Sequence, residues 1–360
     1  MPFADELISA ATAKNLTKAI RAALPAAKLP TLSRAAAQLA DLSLRERADL
    51  LRDALLTDIP GDYAELARVI RAGTFTGWMI WPVTSAIATK AVEDGSQEAF
   101  DDAMALLAAL TGLLTSEFAI RTLLRHDLDR ALATVLTWTH NDDVDVRRLA
   151  SEGTRPYLPW SVRVPELLKD PGVTVPILDA LYRDPSDYVR RSVANHLNDL
   201  SRDNPALVVT TAKRWLDTPD ENTVRVVRHG LRTLIKRGDV GALELMGFSA
   251  ASVEVNGPTL DRDVVPFGGT VTFSATVHNV GDVEARLAID YTVHHQKANG
   301  GQTPKTFKLT TATLAPGETI ELRREHSFRP ITTRRYHPGP HAITLQVNGV
   351  ITDRAEFDLR

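Results

Sequence analysis

The chain has 360 residues, 44% of them hydrophobic, a net charge of −3 and no cysteine. That length and composition fit two globular domains of ordinary size and do not suit a uniformly basic nucleic-acid coat. They also remove disulfides, thiolate zinc sites, iron–sulfur clusters and cysteine nucleophiles, so any chemistry falls to carboxylates, His, Tyr, Ser, Lys or Arg.

Residues 1–247 read as the first domain, all helical, with apolar residues at i, i+3 and i+4. The N-terminus, with Asp5 and Glu6 ahead of an alanine-rich amphipathic stretch, lacks a signal peptide's basic start, and no apolar run is long enough for a bilayer. A cytoplasmic protein with no membrane partner is expected. Turns at Ile59-Pro60-Gly61, Asp170-Pro171-Gly172 and Asp184-Pro185-Ser186 separate the helices. One helix start recurs: Val146-Arg147-Arg148, Val189-Arg190-Arg191, then Val224-Arg225 with Arg228-His229. The separations of 43 and 35 residues predict stacked repeats of the HEAT or armadillo kind. In such a stack the arginines beside each apolar stripe are expected to line one solvent face, and a row of guanidinium groups suits a polyanion such as DNA.

Several residues within this region are candidates for chemistry. Glu117, in Thr115-Ser116-Glu117-Phe118, is expected in the first turn of a helix capped by Thr or Ser, where a carboxylate is simply stabilising. Glu152 is expected at a helix C-terminus, where the macrodipole opposes its charge, with Arg148 four residues before and Arg155 three after as compensating partners. It is either a fixed functional carboxylate or an ion pair that closes the turn. Trp160 follows two prolines that stiffen its loop, and either offers a flat face to a nucleotide or fills a gap between repeats. Between Asp187 and Asn204 the stripe Val189, Val193, Leu197 and Leu200 leaves Arg191, Asn195, Asn198 and Asp199 on the other side. The asparagines there either form a polar site or bond the turns between repeats. His140, His196 and His229 are not at metal-ligand spacing, and neither metal nor cofactor is expected.

Near Gly247–Ala251 the pattern changes. Residues 252–360 read as a second domain of short alternating strands, such as Val271–Val277 and Leu287–Val293. Turns at Asn279–Asp282, Asn299–Gly301 and Ala315–Glu318 separate them, which predicts an immunoglobulin-like β-sandwich without the disulfide.

Four strings, Thr115–Arg121 (TSEFAIR), Val146–Trp160 (VRRLASEGTRPYLPW), Tyr188–Asp199 (YVRRSVANHLND) and Val227–Lys236 (VRHGLRTLIK), resemble the signature blocks of the AlkC family. These are HEAT-like-repeat DNA glycosylases for alkylated bases, related more distantly to the AlkD family. Leu114 and Thr122 stand where the family commonly has Phe and Pro. The second domain, with its Thr332–Gly339 loop, resembles the immunoglobulin-like domain of many AlkC proteins.

The resemblance implies excision of cationic bases such as 3-methyladenine and 3-methylcytosine from double-stranded DNA, without deep insertion of the base into a pocket. It places Glu117, Glu152, Trp160 and Asp199 around the lesion. Glu152 or Asp199 would stabilise the sugar cation and orient water. Arg148, Arg155, Arg190, Arg191, Asn195, Arg228 and His229 would contact DNA, with Arg334 and Arg335 reaching from the second domain. A monomer needing no protein partner is expected. The competing class is a non-enzymatic HEAT scaffold that binds DNA or protein, which would depend on its arginines and not on its carboxylates.

Overall fold

The computed structural model describes residues 7–332 and 334–360. Its first helices are α1 (Ala10–Ala23), α2 (Pro30–Ala35), α3 (Leu44–Asp58), α4 (Tyr63–Ala72), α5 (Ile80–Asp94), α6 (Gln97–Leu110), α7 (Ile120–His126) and α8 (Leu128–Trp138). They continue as α9 (Val144–Glu152), α10 (Pro165–Lys169), α11 (Val175–Leu181), α12 (Asp187–Leu200), α13 (Pro205–Asp217), α14 (Thr223–Gly230), α15 (Arg232–Arg237) and α16 (Val240–Leu245). The strands are β1 (Val253–Leu260), β2 (Val264–Val265), β3 (Thr270–Asn279), β4 (Ala285–Gln296), β5 (Gln302–Leu314), β6 (Thr319–Ser327), β7 (Gly339–Val347), β8 (Val350–Ile351) and β9 (Ala355–Leu359). The switch from helix to strand and the turns between elements fall where the sequence pattern places them. Among these residues no helix is long and apolar enough to cross a membrane.

Packing divides the chain into two compact units. One runs to Thr211 and resumes over Trp215–Gly230; the other joins Ala212–Arg214 to Leu231–Arg360. In the first, α9 packs on α12 and α12 on α14, with α11 against both α9 and α12. The three recurring Val-Arg motifs each fall in the first turns of α9, α12 and α14. Buried Val146, Leu149, Val189, Val193, Leu197, Val226 and Val227 supply the apolar interface between them. At the end of α9 the chain passes so close to α7 that a Cβ on Gly153 would lie 2.8 Å from Ile120 Cγ2 and 3.0 Å from the Leu149 carbonyl, so only glycine lets these elements meet.

In the second unit β1-β3-β6 form one sheet and β2-β9-β7-β4-β5 the other, with β8 paired to β7. All pairings are antiparallel except β2 with β9. Alternate residues Val271, Phe273 and Val277 of β3, Leu287, Ile289 and Val293 of β4, and Ile343, Leu345 and Val347 of β7 fill the core. Helices α15 and α16 belong to this unit. Gly238, after α15, and Gly349, in the β7–β8 turn, both have positive φ and touch backbone to backbone, a Cβ on Gly238 falling 2.7 Å from Gly349 Cα. Segment 247–251 is fixed to the sandwich as well: Asn348 Nδ2 donates to the Ser249 and Arg286 carbonyls at 2.8 and 2.9 Å, and Arg286 lies over Phe248.

His295 and His326 are buried in this core. Burial, reinforced by the charge of Arg334, holds their pKa values down to about 3 and about 4. Burial likewise pushes Asp290 up to about 6. Between pH 6.5 and 4 the unfolded histidines bind protons that the folded ones refuse, so stability falls as pH falls through that window; Asp290 acts in the opposite sense below pH 6. His196 in the helical unit, whose pKa burial also holds down to about 3, acts in the same sense as the two sandwich histidines. The net expectation is a loss of stability as pH falls from 7 to 4.5, read from denaturant unfolding of the full chain, and a shallower slope for His295→Phe.

Candidate functional site

Helix α9 ends at Glu152, as its sequence neighbours require. The carboxylate is turned away from solvent and held from three sides: Arg155 Nη1 donates to Oε1 at 2.6 Å, Arg148 Nη2 stands 3.5 Å from the same oxygen, and Ser192 Oγ donates to Oε2 at 2.6 Å. Each arginine reaches a second carboxylate. Arg148 Nη1 donates to Glu117 Oε2 at 2.5 Å, and Arg155 Nε donates to Asp199 Oδ2 at 2.9 Å. The result is a row in which charges alternate: Glu117, Arg148, Glu152, Arg155, Asp199. Glu117, Glu152 and Asp199 are 9%, 6% and 4% exposed.

Electrostatics within the row follow from burial and neighbours. Burial, with Glu152 adding to it, raises the Glu117 pKa, against the pull of Arg148. Burial works against the charges of Arg148 and Arg155, but the carboxylates on either side outweigh it and both guanidinium groups are held more firmly protonated. Glu152 has both oxygens bonded. Glu117 Oε1 and Asp199 Oδ1, at the two ends of the row, take no protein partner among the described residues.

The row is placed by helix geometry. On α12, Tyr188, Ser192, Asn195 and Asp199 fall at i, i+4, i+7 and i+11, one face of the helix. Tyr188 lies under Arg148, whose guanidinium carbon is 5.0 Å from its ring centre, Ser192 meets Glu152, and Asp199 meets Arg155. Asn195 Oδ1 stands 3.2 Å from His229 Nε2 on α14.

The segment after α9 carries both Arg155 and Trp160, and it is pinned from beneath. Arg121, fully buried on α7, donates from Nε to the Val162 carbonyl at 2.6 Å and from Nη1 to the Gly153 and Arg155 carbonyls at 3.1 and 2.7 Å. Burial and the nearby Arg163 and Arg155 lower its pKa to about 10. From the other side Tyr157 donates to Asp203 at 2.6 Å and is flanked by Arg163 and Arg202. At the outer end Trp160 is 43% exposed with φ +60°, a left-handed conformation that a bulky residue adopts only where its surroundings impose it.

The remaining predicted residues scatter. Glu117 is not in a helical first turn: α7 begins at Ile120 without a side-chain cap, because Ser116 Oγ donates back to the Leu107 carbonyl and Thr115 donates to Glu117 itself. Nor do the paired arginines share a solvent face. Arg190 is buried, its Nη1 donating to the carbonyls of Asp184 and Pro185 at 2.5 and 2.8 Å, and Arg147 pairs with the buried Asp184 carboxylate at 2.7 Å. These two clasp the turn before α12, whose carbonyls need donors. Arg191 is exposed and shares Asp187 with Arg225. Arg228 is exposed, His229 half-buried, Arg335 exposed, and Arg334 half-buried with Nη1 fully enclosed. Arg121, Ser192 and Tyr188 were not singled out by sequence reasoning. A lone arginine among apolar neighbours in Phe118–Leu124 was a signal for the first, and the helical spacing to Asp199 for the other two.

Known proteins share this architecture. A profile for the C-terminal Ig-like domain of the uncharacterised protein YhaZ matches residues 254–360. The uncharacterised protein YhaZ of Bacillus subtilis (strain 168) is 34% identical over 322 residues, which are 89% of this chain and 88% of that one. The solved structure of the Pseudomonas fluorescens alkylpurine DNA glycosylase AlkC, bound to DNA containing an abasic site analogue, is 35% identical, with a TM-score of 0.85 and full coverage of both chains. On this full-length likeness in sequence and structure, the chain belongs to the AlkC family of DNA glycosylases.

Proposed function

We propose that the chain is a monofunctional glycosylase of base excision repair that hydrolyses the N-glycosidic bond of cationic N-alkylated bases, 3-methyladenine and 3-methylcytosine among them, in duplex DNA. The observation that carries this reading is the arginine-bridged row of three carboxylates beside a segment that fixes an exposed tryptophan. Alkylation of a ring nitrogen makes the base a cationic leaving group, so no general acid has to protonate it. What remains is to stabilise the oxocarbenium-like sugar and to direct water at it, which held carboxylates do in a low-dielectric setting. Asp199 Oδ1, with no protein partner among the described residues, is the atom suited to orient that water. Glu152, bonded on every side, fixes Arg155 and so the direction of Asp199. Glu117 adds negative potential at the far end of the row.

Trp160 contacts the lesioned nucleotide by its face, and its rigid placement suits recognition without deep base flipping. Exposed Arg191, Arg228 and Arg335, with His229, are the phosphate contacts in this reading. Residues 1–247 act in this reading as the HEAT-like catalytic and DNA-binding part and 252–360 as the accessory sandwich, although by packing α15 and α16 belong with the sandwich. The protein works as a cytoplasmic monomer.

The test is single-turnover release of free methylated base from alkylated duplex DNA by the full chain, with affinity measured alongside. Binding without release leaves a scaffold. Trp160→Gly is expected to change stability by no more than about 1 kcal/mol, since it removes an exposed ring from a strained φ, while base release falls at least about 10-fold. Unchanged release in that variant removes Trp160 from the reading.

A further inference from the structure

Around Trp160 two arginines meet one tyrosine, and the excision chemistry uses none of the three. The guanidinium carbons of Arg163 and Arg202 stand 4.8 and 4.4 Å from the centre of the Tyr157 ring. Both arginines are exposed, and Tyr157 is half-buried. Arg163 follows the segment that Arg121 pins, and its Nη1 donates to the Pro156 and Leu158 carbonyls at 3.3 and 3.5 Å. Arg202 comes from the turn that ends α12, its backbone N–H donating to the Asp199 carbonyl at 3.2 Å. Tyr157 and Arg163 thus stand three residues to either side of Trp160, and Arg202 three beyond Asp199. The patch is joined through the chain to both groups on which excision depends.

Charge points to what these side chains take. Other exposed arginines of the helical unit lie against carboxylates: Arg68 on Glu65, Arg71 on Asp102, Arg191 and Arg225 on Asp187. Arg163 and Arg202 form no ion pair among the described residues, and the acid at hand, Asp203, accepts the Tyr157 hydroxyl at 2.6 Å. Two like charges brought to one ring repel each other, and the ring face offsets this by only about 0.5–1 kcal/mol for each at an exposed site. The ring also orients both guanidinium groups while their in-plane N–H donors stay available, so little rotamer freedom is left to lose on binding. Paired forks of this kind match the oxygens of phosphate groups, which a nucleic-acid strand presents at close and regular intervals.

We propose that Arg163 and Arg202, set by Tyr157, form a clamp for phosphodiester groups of the DNA strand that carries the lesion, next to the nucleotide that Trp160 faces. The place of Trp160 in this inference rests on the excision reading. Asp203 holds the ring through its hydroxyl and leaves the two positive charges for the strand. The clamp fixes the register of the backbone relative to Asp199 and carries no information about the base.

The experiment measures affinity of the full chain for a duplex containing an abasic-site analogue, over a range of salt concentrations. Arg163→Gln and Arg202→Gln should each make the fall of log affinity with log salt shallower by about 0.9, the counterion release of one phosphate contact. Arg202→Lys should keep the wild-type slope. Replacing the phosphates around the analogue, one at a time, by uncharged methylphosphonate should weaken wild type at one position or more and leave the double glutamine variant unaffected there. Wild-type slopes in both glutamine variants overturn the proposal, even where base release falls, because arginines that merely clasp the loop would give that result. Equal affinity of wild type for every methylphosphonate duplex overturns it too, and needs no variant to fold. Base release by the same wild-type preparation keeps the two readings apart: shallower slopes without release leave the clamp standing and sink the glycosylase.

Discussion

Asp199→Asn is expected to lower single-turnover release of methylated base by about 10²–10³-fold, the range found when one preorganised electrostatic group is removed from a catalytic site. Affinity for the same DNA should stay within about threefold. The substitution is isosteric, and an amide can still accept from Arg155 Nε through its oxygen, the bond that Asp199 Oδ2 makes at 2.9 Å. What changes is the outward atom. An N–H₂ group then stands where Oδ1 stood, repelling a sugar cation and donating to a water that needs an acceptor. The helix is not at risk, since Asp199 lies within α12 and its backbone bonds are untouched. Release at the wild-type rate would move the water-orienting role to Glu152 or Glu117, and Glu152→Gln separates those two.

Arg155→Met should be the most destabilising single change in the site, by about 3–5 kcal/mol, the cost of removing one partner from a buried ion pair. Arg155 is the partner of two carboxylates at once, so its loss leaves Glu152 and Asp199 buried with nothing between them. The pH dependence identifies the cause. Carboxylates stranded in this way are better off protonated, so the folded variant binds a proton that the unfolded chain has released, and its deficit relative to wild type should shrink as pH is lowered from 7 to 5. Denaturant unfolding at both pH values measures it. A constant deficit would mean that lost packing, not stranded charge, is responsible. Arg155→Lys should fall between the two, because a single ammonium cannot present the fork that spans Oε1 and Oδ2.

Much of this arrangement was legible in the chain because it is local. The two arginines stand four residues before and three after Glu152, at the end of α9 and just beyond it, and the change to alternating residues after 247 is a matter of period. Other parts are set by contacts between distant segments. Arg190 has the same local pattern as Arg191, and only the bare carbonyls of Asp184 and Pro185 decide that it turns inward. Glu117 reads as a capped helical residue until Leu107 takes the Ser116 hydroxyl. Arg121 looks like an interruption in an apolar helix, and its purpose appears only when the segment from Gly153 to Val162 lies across it. Spacing gave direction along each helix; the partners came from packing.

The alternation of charge in the row also constrains how this protein can diverge. Each guanidinium serves two carboxylates, so the effect of a change at one position depends on what stands at the next, and substitutions here should couple strongly where distant ones would simply add. Losing Arg155 leaves Asp199 without a guanidinium and Glu152 with only Arg148 and Ser192, whereas losing Arg155 together with Asp199 disturbs Glu152 alone. The five residues are thus expected to change together and not one at a time: a lineage that keeps any of them in this geometry has reason to keep them all.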